Sequence, residues 1–155
     1  MKVISTNRRA KHNYSIIETY EAGIELKGNE VKSLRTQGCS IDKSFVRIEE
    51  GEAFLYDMHI PEYKMTSYFK LPSKRIRKLL LHKKEINRLK GLTTQRGFTI
   101  IPLRVYFNSR GFVKVEIGLA KGKTLYDKRR KIKKEIEERE VKRALKENIK
   151  RYFYK

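Results

Sequence analysis

The residues best suited to chemistry are few and scattered. Glu21 lies in the run ETYEAGIEL, where apolar residues fall on Tyr20, Ala22 and Ile24 and the carboxylate projects from the opposite side. A carboxylate repels phosphate, but it accepts hydrogen bonds from the amino or imino edge of a nucleobase, a selectivity that a lysine cannot provide. The competing assignment is a cross-strand salt bridge with a nearby Lys. His12 sits among Asn7, Arg8, Arg9, Lys11 and Tyr14, where an imidazole can stack on a base or bind phosphate.

Other chemistries find little support. His12, His59 and His82 are far apart and lack cysteine partners, so no metal site and no cofactor are expected. Cys39 is the only cysteine, which excludes an intrachain disulfide, suits a reducing cytoplasm and reads as a small packed residue rather than a nucleophile. The stretch GLAKGKT, Gly118 to Thr124, resembles a phosphate-binding loop, yet only three residues separate its glycines where that loop needs four. No Ser, His and Asp arrangement stands at a recognisable elbow, and no enzyme is expected.

Charge is more informative. In 155 residues, 38 Lys and Arg oppose 18 Asp and Glu, a net of +20 that calls for a polyanionic partner. A thermophile surface would enrich both signs together, and here the excess is one-sided. A membrane is not the expected partner: Trp is absent, MKVISTNRR carries no apolar signal region, and no window approaches the roughly 18 apolar residues of a spanning helix.

Elements must position these groups. Alternation from Tyr14 to Leu26 predicts a strand, interrupted at Ile17 and Glu18 by a bulge. GNEVKSLRTQG predicts a short helix with Asn29 as its cap and Gly38 as its stop. Residues 44–57 predict a hairpin turning at Glu50 and Gly51. Pro72 and Ser73 open a second predicted helical region through KRIRKLLLHKKEINRLKG, with Leu79, Ile86 and Leu89 on one face. Strands over 98–107 and 112–119 turn at NSRG, with Pro102 bulged or at an edge.

Short antiparallel strands with intervening helices, in a chain this basic, predict a mainly β fold with helices, a small oligonucleotide-binding-like antiparallel barrel. The barrel domain is expected over residues 1–120 and a basic tail over 121–155. The tail holds 15 basic and 6 acidic side chains and no Pro. Ile132, Ile136, Val141, Leu145 and Ile149 recur at helical spacing beside i,i+4 pairs such as Glu135 with Arg139. Each pair contributes roughly 0.2–0.5 kcal/mol, too little to hold a helix without packing. The tail is therefore expected to be disordered when free and helical against RNA.

Four segments in order then resemble one family: NRRAKHNY at 7–14, ETYEAGIELKGNEVKSLR at 18–35, RKLLLHKKEINRL at 77–89 and VEIGLAKGKTLYDKR at 115–129. The family is small protein B, whose members bind transfer-messenger RNA, also called SsrA RNA. The resemblance implies a barrel with about three helices that binds the tRNA-like domain of that RNA. It implies delivery to stalled bacterial ribosomes for trans-translation, with the tail in the small-subunit decoding region and mRNA channel. Elongation factor Tu and alanyl-tRNA synthetase would then be indirect partners, reached through the RNA. Carried over by position, the RNA contacts would include Asn7, His12, Glu21 and Leu80, although an apolar Leu80 also suits a core. Lys32, Arg35, Lys121 and Lys123 are expected phosphate contacts, mainly on charge. Asp127, Lys128 and Arg129 resemble the ribosome-facing segment of the tail. A structural ribosomal protein, or a general binder of structured RNA, would share the basic barrel and the extended tail.

Overall fold

The computed structural model describes residues 1–63, 71–95, 97–123 and the backbone of 125–153, with side chains of that last stretch described over 129–147. The chain divides into two compact units, Met1–Gly122 and Lys123–Lys155.

The first unit is a ring of antiparallel strands. In chain order it contains β1 (Lys2–Thr6), α1 (Ala10–Asn13), β2 (Tyr14–Ile24), α2 (Gly28–Thr36), β3 (Phe45–Glu49), β4 (Glu52–Tyr56), β5 (Arg77–Leu80), α3 (Lys83–Thr93), β6 (Phe98–Phe107) and β7 (Val113–Gly122). The hydrogen-bonded order is β1-β6-β3-β4-β5-β2-β7, and β6 also pairs with β7. Six strands therefore close on themselves and β1 is added outside the ring, the barrel-like mainly β fold expected from the sequence. The second unit is one helix, α4 (Leu125–Phe153).

Local sequence explains several elements. Glu50 and Gly51 have φ of 51° and 75°, the two left-handed residues that a two-residue hairpin turn requires. β2 changes register between Ile16 and Glu18, where its alternation breaks. β6 changes register between Pro102 and Arg104, so the missing N–H of Pro102 falls at a bulge. That bulge divides β6: Ile100 pairs with Val46 of β3, whereas Arg104 to Phe107 pair with β1. Asn7 fastens the division, donating its backbone N–H to Leu103 O at 2.7 Å and its side-chain Nδ2 to Pro102 O at 3.0 Å.

Two expectations are corrected. Residues 74–82 do not continue a helix: Arg77–Leu80 form β5 between β4 and β2. A short apolar run is ambiguous between helix and strand, and pairing on both edges decides it. Leu79 then points inward while Leu80 points outward. The cap of α2 is Lys27, not Asn29, and Glu30 reaches back to accept the Lys27 backbone N–H at 2.9 Å. β1, α1 and β5 are elements that the sequence did not announce.

The barrel is filled by inward-facing Ala22, Val46, Leu55, Leu79, Ile100, Val105, Val115, Ile117 and Leu119, closed by Leu34 of α2 and Leu89 of α3. Each large side chain removed from water contributes roughly 1.5–3 kcal/mol. A smaller cluster of Ala10, Ile101 and Ala120 seats α1 against the sheet.

One charged group is wholly enclosed. Arg77 is fully buried and donates from Nε to Glu30 at 2.6 Å, from Nη1 to Met58 O at 2.7 Å and from Nη2 to Ser73 O at 3.1 Å. Burial lowers the pKa of Arg77, opposed by its bond to Glu30. Burial works to raise the Glu30 pKa, but the Arg75 bond, the Lys27 N–H and the Arg77 bond together bring it below the ordinary value. This network ties α2 to β5 and to the segment around Met58.

Candidate nucleic-acid interface

On the outer face of the ring, β2, β7 and β6 lie side by side. Alternation along β2 sends Ala22 into the core and leaves Glu21 exposed. Its cross-strand neighbour on β7 is another acid, Glu116. Two adjacent carboxylates would repel each other, and β6 supplies a partner for each. Arg104 pairs with Glu116, and the Tyr106 hydroxyl donates to Glu21.

Those partners differ in kind. Arg104 neutralises Glu116, and its guanidinium also lies 5.3 Å from the centre of the Tyr106 ring. Tyr106 contributes no charge. Burial first, and the bond to Glu21 second, push its hydroxyl up to about 12, so it remains a donor at neutral pH. Glu21 thus keeps a held carboxylate with acceptor capacity to spare on a strongly basic chain. The expected alternative of a lysine partner is replaced by a neutral tyrosine. Tyr106 and Arg104 escaped the sequence reading, although alternation about inward-facing Val105 marks both as outward.

Leu80 joins this face. It lies opposite Gly23 on β2, two residues beyond Glu21 on the same side, and it is 50% exposed. A Cβ at position 23 would stand 3.2 Å from Leu80 Cβ and 3.4 Å from its Cδ1, so the glycine makes room for the leucine. Glu21 and Leu80 therefore form one patch, acid beside apolar.

The remaining predicted residues sit elsewhere. Tyr14, at the other end of β2, is seven residues from Glu21, a separation of roughly 23 Å at strand rise. There His12 is exposed on α1. Lys121 is nearby, opposite Ser15, with its Nζ 5.8 Å from the centre of the Phe98 ring. Asn7 is buried and serves first as the clasp on β6. Lys32 and Arg35 are exposed on α2, over the rings of Tyr63 and Phe107 at 5.9 and 5.7 Å, and neither forms an ion pair among the described residues. Lys123 belongs to the second unit. Asp127 and Lys128 fall within α4, but their side chains lie outside the described residues; Arg129 is exposed.

Among the described residues no cluster of three or more His, Cys, Asp or Glu side chains could hold a metal ion. Burial pushes the Cys39 thiol up to about 11, unsuited to nucleophilic work at neutral pH. Gly118–Gly122 is part of β7, an extended strand that cannot wrap a phosphate. Among the described residues no helix is long and apolar enough to cross a membrane.

Comparison with known proteins decides the family. The profile of SmpB protein matches residues 4–147. The chain belongs to the SmpB protein family. An SsrA-binding protein of Coprothermobacter proteolyticus is 56% identical over 144 residues, covering 92% of this chain and 96% of that one. An SsrA-binding protein of Thermosipho africanus is 54% identical, covering 97% and 99%. A solved SmpB-containing structure, described as "tmRNA-SmpB: a journey to the center of the bacterial ribosome", matches with a TM-score of 0.66 and 53% identity over 84% of this chain and 92% of that one. The SmpB match spans both units and includes Glu21, Leu80, Tyr106 and Arg129.

Proposed function

We propose that this chain binds the tRNA-like domain of transfer-messenger RNA and delivers it to stalled ribosomes for trans-translation. The observation that carries this reading is nearly full-length similarity, at more than half identity, to relatives named for binding SsrA RNA. A solved relative described as tmRNA-SmpB in the bacterial ribosome supports the same partners.

The chemistry of the barrel fits. A net charge of +20 supplies phosphate attraction without sequence preference. Glu21, held by Tyr106 beside Leu80, supplies what charge cannot: an acceptor for base N–H groups and an apolar surface for a base or ribose. Lys32, Arg35, Lys121 and Lys123 act as phosphate contacts, and His12 works at the opposite end of β2 as a stacking or phosphate-binding group. Asn7 contributes by shaping the β6 bulge below that end. The role is recognition and transport of an RNA, not catalysis.

We assign residues 1–122 to RNA binding and the basic tail, with Asp127, Lys128 and Arg129, to the ribosome. The tail folds fully where RNA neutralises its charge.

Binding of the purified protein to transfer-messenger RNA, in competition with elongator tRNA at two salt concentrations, tests the reading for the wild type and Glu21→Ala. Preference that survives high salt and falls with Glu21→Ala is the expected result. Equal binding of both RNAs, removed equally by salt, would leave only a basic barrel with general affinity for RNA.

A further inference from the structure

A second feature lies on β3 and β4, away from the Glu21 patch. Phe45 and Tyr56 are cross-strand partners whose rings stack with centroids 5.2 Å apart and planes 5° from parallel. Arg47, the next residue of β3 on the same side, places its guanidinium over both, 5.2 Å from the Phe45 centroid and 5.5 Å from that of Tyr56. The rings are half-buried and Arg47 is exposed. The Tyr56 hydroxyl is fixed in turn by Glu49 at 2.7 Å. No acid pairs with Arg47 among the described residues, so its guanidinium is oriented by the rings alone.

Phe45 is also a wall of a recess of about 290 Å³. Exposed Arg9 and Lys43 border it, with Asp42 the one acid in its lining, while Asn7 and Ser44 lie deeper. The Oδ1 of Asn7 and the Oγ of Ser44 are buried with no hydrogen-bond partner among the described residues. Both atoms are closed off from solvent, so what the recess offers a ligand is the Phe45 ring and the exposed cations at its rim.

An aromatic stack crowned by a guanidinium offers a π-face to any base, and adjacent cations attract phosphate. We propose that the Phe45–Tyr56–Arg47 stack and the adjoining recess form a subsite for an unpaired stretch of RNA, distinct from the Glu21 patch. The base stacks on Arg47 and the rings, and the backbone lies along Arg9 and Lys43. This rests on the RNA-binding reading above.

The full-length protein is titrated with a short single-stranded RNA bearing 2-aminopurine, whose fluorescence falls on stacking, and in parallel with transfer-messenger RNA. Arg47→Ala and Phe45→Leu are expected to weaken the single-stranded RNA roughly tenfold and to lose the quenching. Arg47→Lys should not restore it, because an ammonium keeps the charge but not the plane. Arg47 is exposed, so its variants should melt like the wild type, which separates a lost contact from a lost fold. Unchanged quenching in Arg47→Ala, or full rescue by Arg47→Lys, would overturn the stacking subsite while leaving Glu21-dependent recognition of transfer-messenger RNA intact. If the wild type bound neither RNA, the RNA-binding reading itself would fall and the subsite with it.

Discussion

The hydroxyl of Tyr106 on β6 reaches past β7 to the carboxylate of Glu21 on β2. The bond fixes one oxygen of the acid without cancelling its charge. Tyr106→Phe is therefore expected to leave the Glu21 side chain free to rotate. Stability should change by only about 0.5–1.5 kcal/mol, the net worth of one hydrogen bond. Preference for transfer-messenger RNA over elongator tRNA should fall, by less than in Glu21→Ala. Competition binding measures both, and preference retained in full by Tyr106→Phe would remove orientation from the role of this tyrosine.

A second carboxylate gives the fold a sensitivity to acid. Glu18 on β2 accepts from Arg88 on α3, through Nε at 3.0 Å and again through Nη2, and from the Tyr20 hydroxyl. These bonds, Arg88 foremost, hold its pKa at about 2 against an ordinary 4.5. A depressed folded-state pKa contributes stability above pH 4.5 that is lost as pH falls toward 2. Glu18→Gln should therefore destabilise the barrel at pH 7, and the gap from wild type should narrow from pH 4.5 downward. Urea melts at neutral and acid pH check this; a gap independent of pH would show that the ion pair does not hold α3.

The buried pair behaves differently. Arg77 has no exposure, and Glu30 is its only carboxylate partner among the described residues. Glu30→Ala would leave the guanidinium enclosed and uncompensated, at a cost of about 3–5 kcal/mol. Chemical denaturation of the RNA-free protein measures this. A loss under about 1 kcal/mol would mean that Met58 O and Ser73 O suffice to hold the charge.

The sequence made the barrel legible wherever period and turn chemistry agreed. Val113, Val115, Ile117 and Leu119 declared β7, and Glu50 with Gly51 declared the hairpin. It misled at RKLLLH, where Leu79 fits a helical face with Ile86 and Leu89 as well as it fits an inward strand position. Only pairing of β5 with both β4 and β2 separates the two, and pairing partners are distant in sequence. The same holds for the site. Glu21 was conspicuous as an outward acid in a basic chain, but Tyr106, 85 residues away, becomes its partner only when β7 brings β6 alongside. The Arg47 stack was hidden for the same reason, because Phe45 meets Tyr56 across a hairpin register rather than along a local motif.

The tail is separable by construction. β7 runs to Gly122, with Lys121 and Gly122 paired to Ser15 and Tyr14, so a cut after Ala120 would strip the last pairs from the barrel. A cut after Gly122 follows the boundary between the units. The removed segment exposes Ile132, Ile136, Val141 and Leu145 along α4, while the barrel core is composed of residues before Ala120. The truncated protein is therefore expected to fold and to keep its selectivity for transfer-messenger RNA, with a shallower salt dependence because fewer cations meet phosphate. Tagging of incomplete proteins on stalled ribosomes should be abolished. The two assays together decide the division of labour: equal loss of RNA selectivity and tagging would place the tail in RNA recognition, and full tagging without it would take the ribosome-facing role away from Asp127, Lys128 and Arg129.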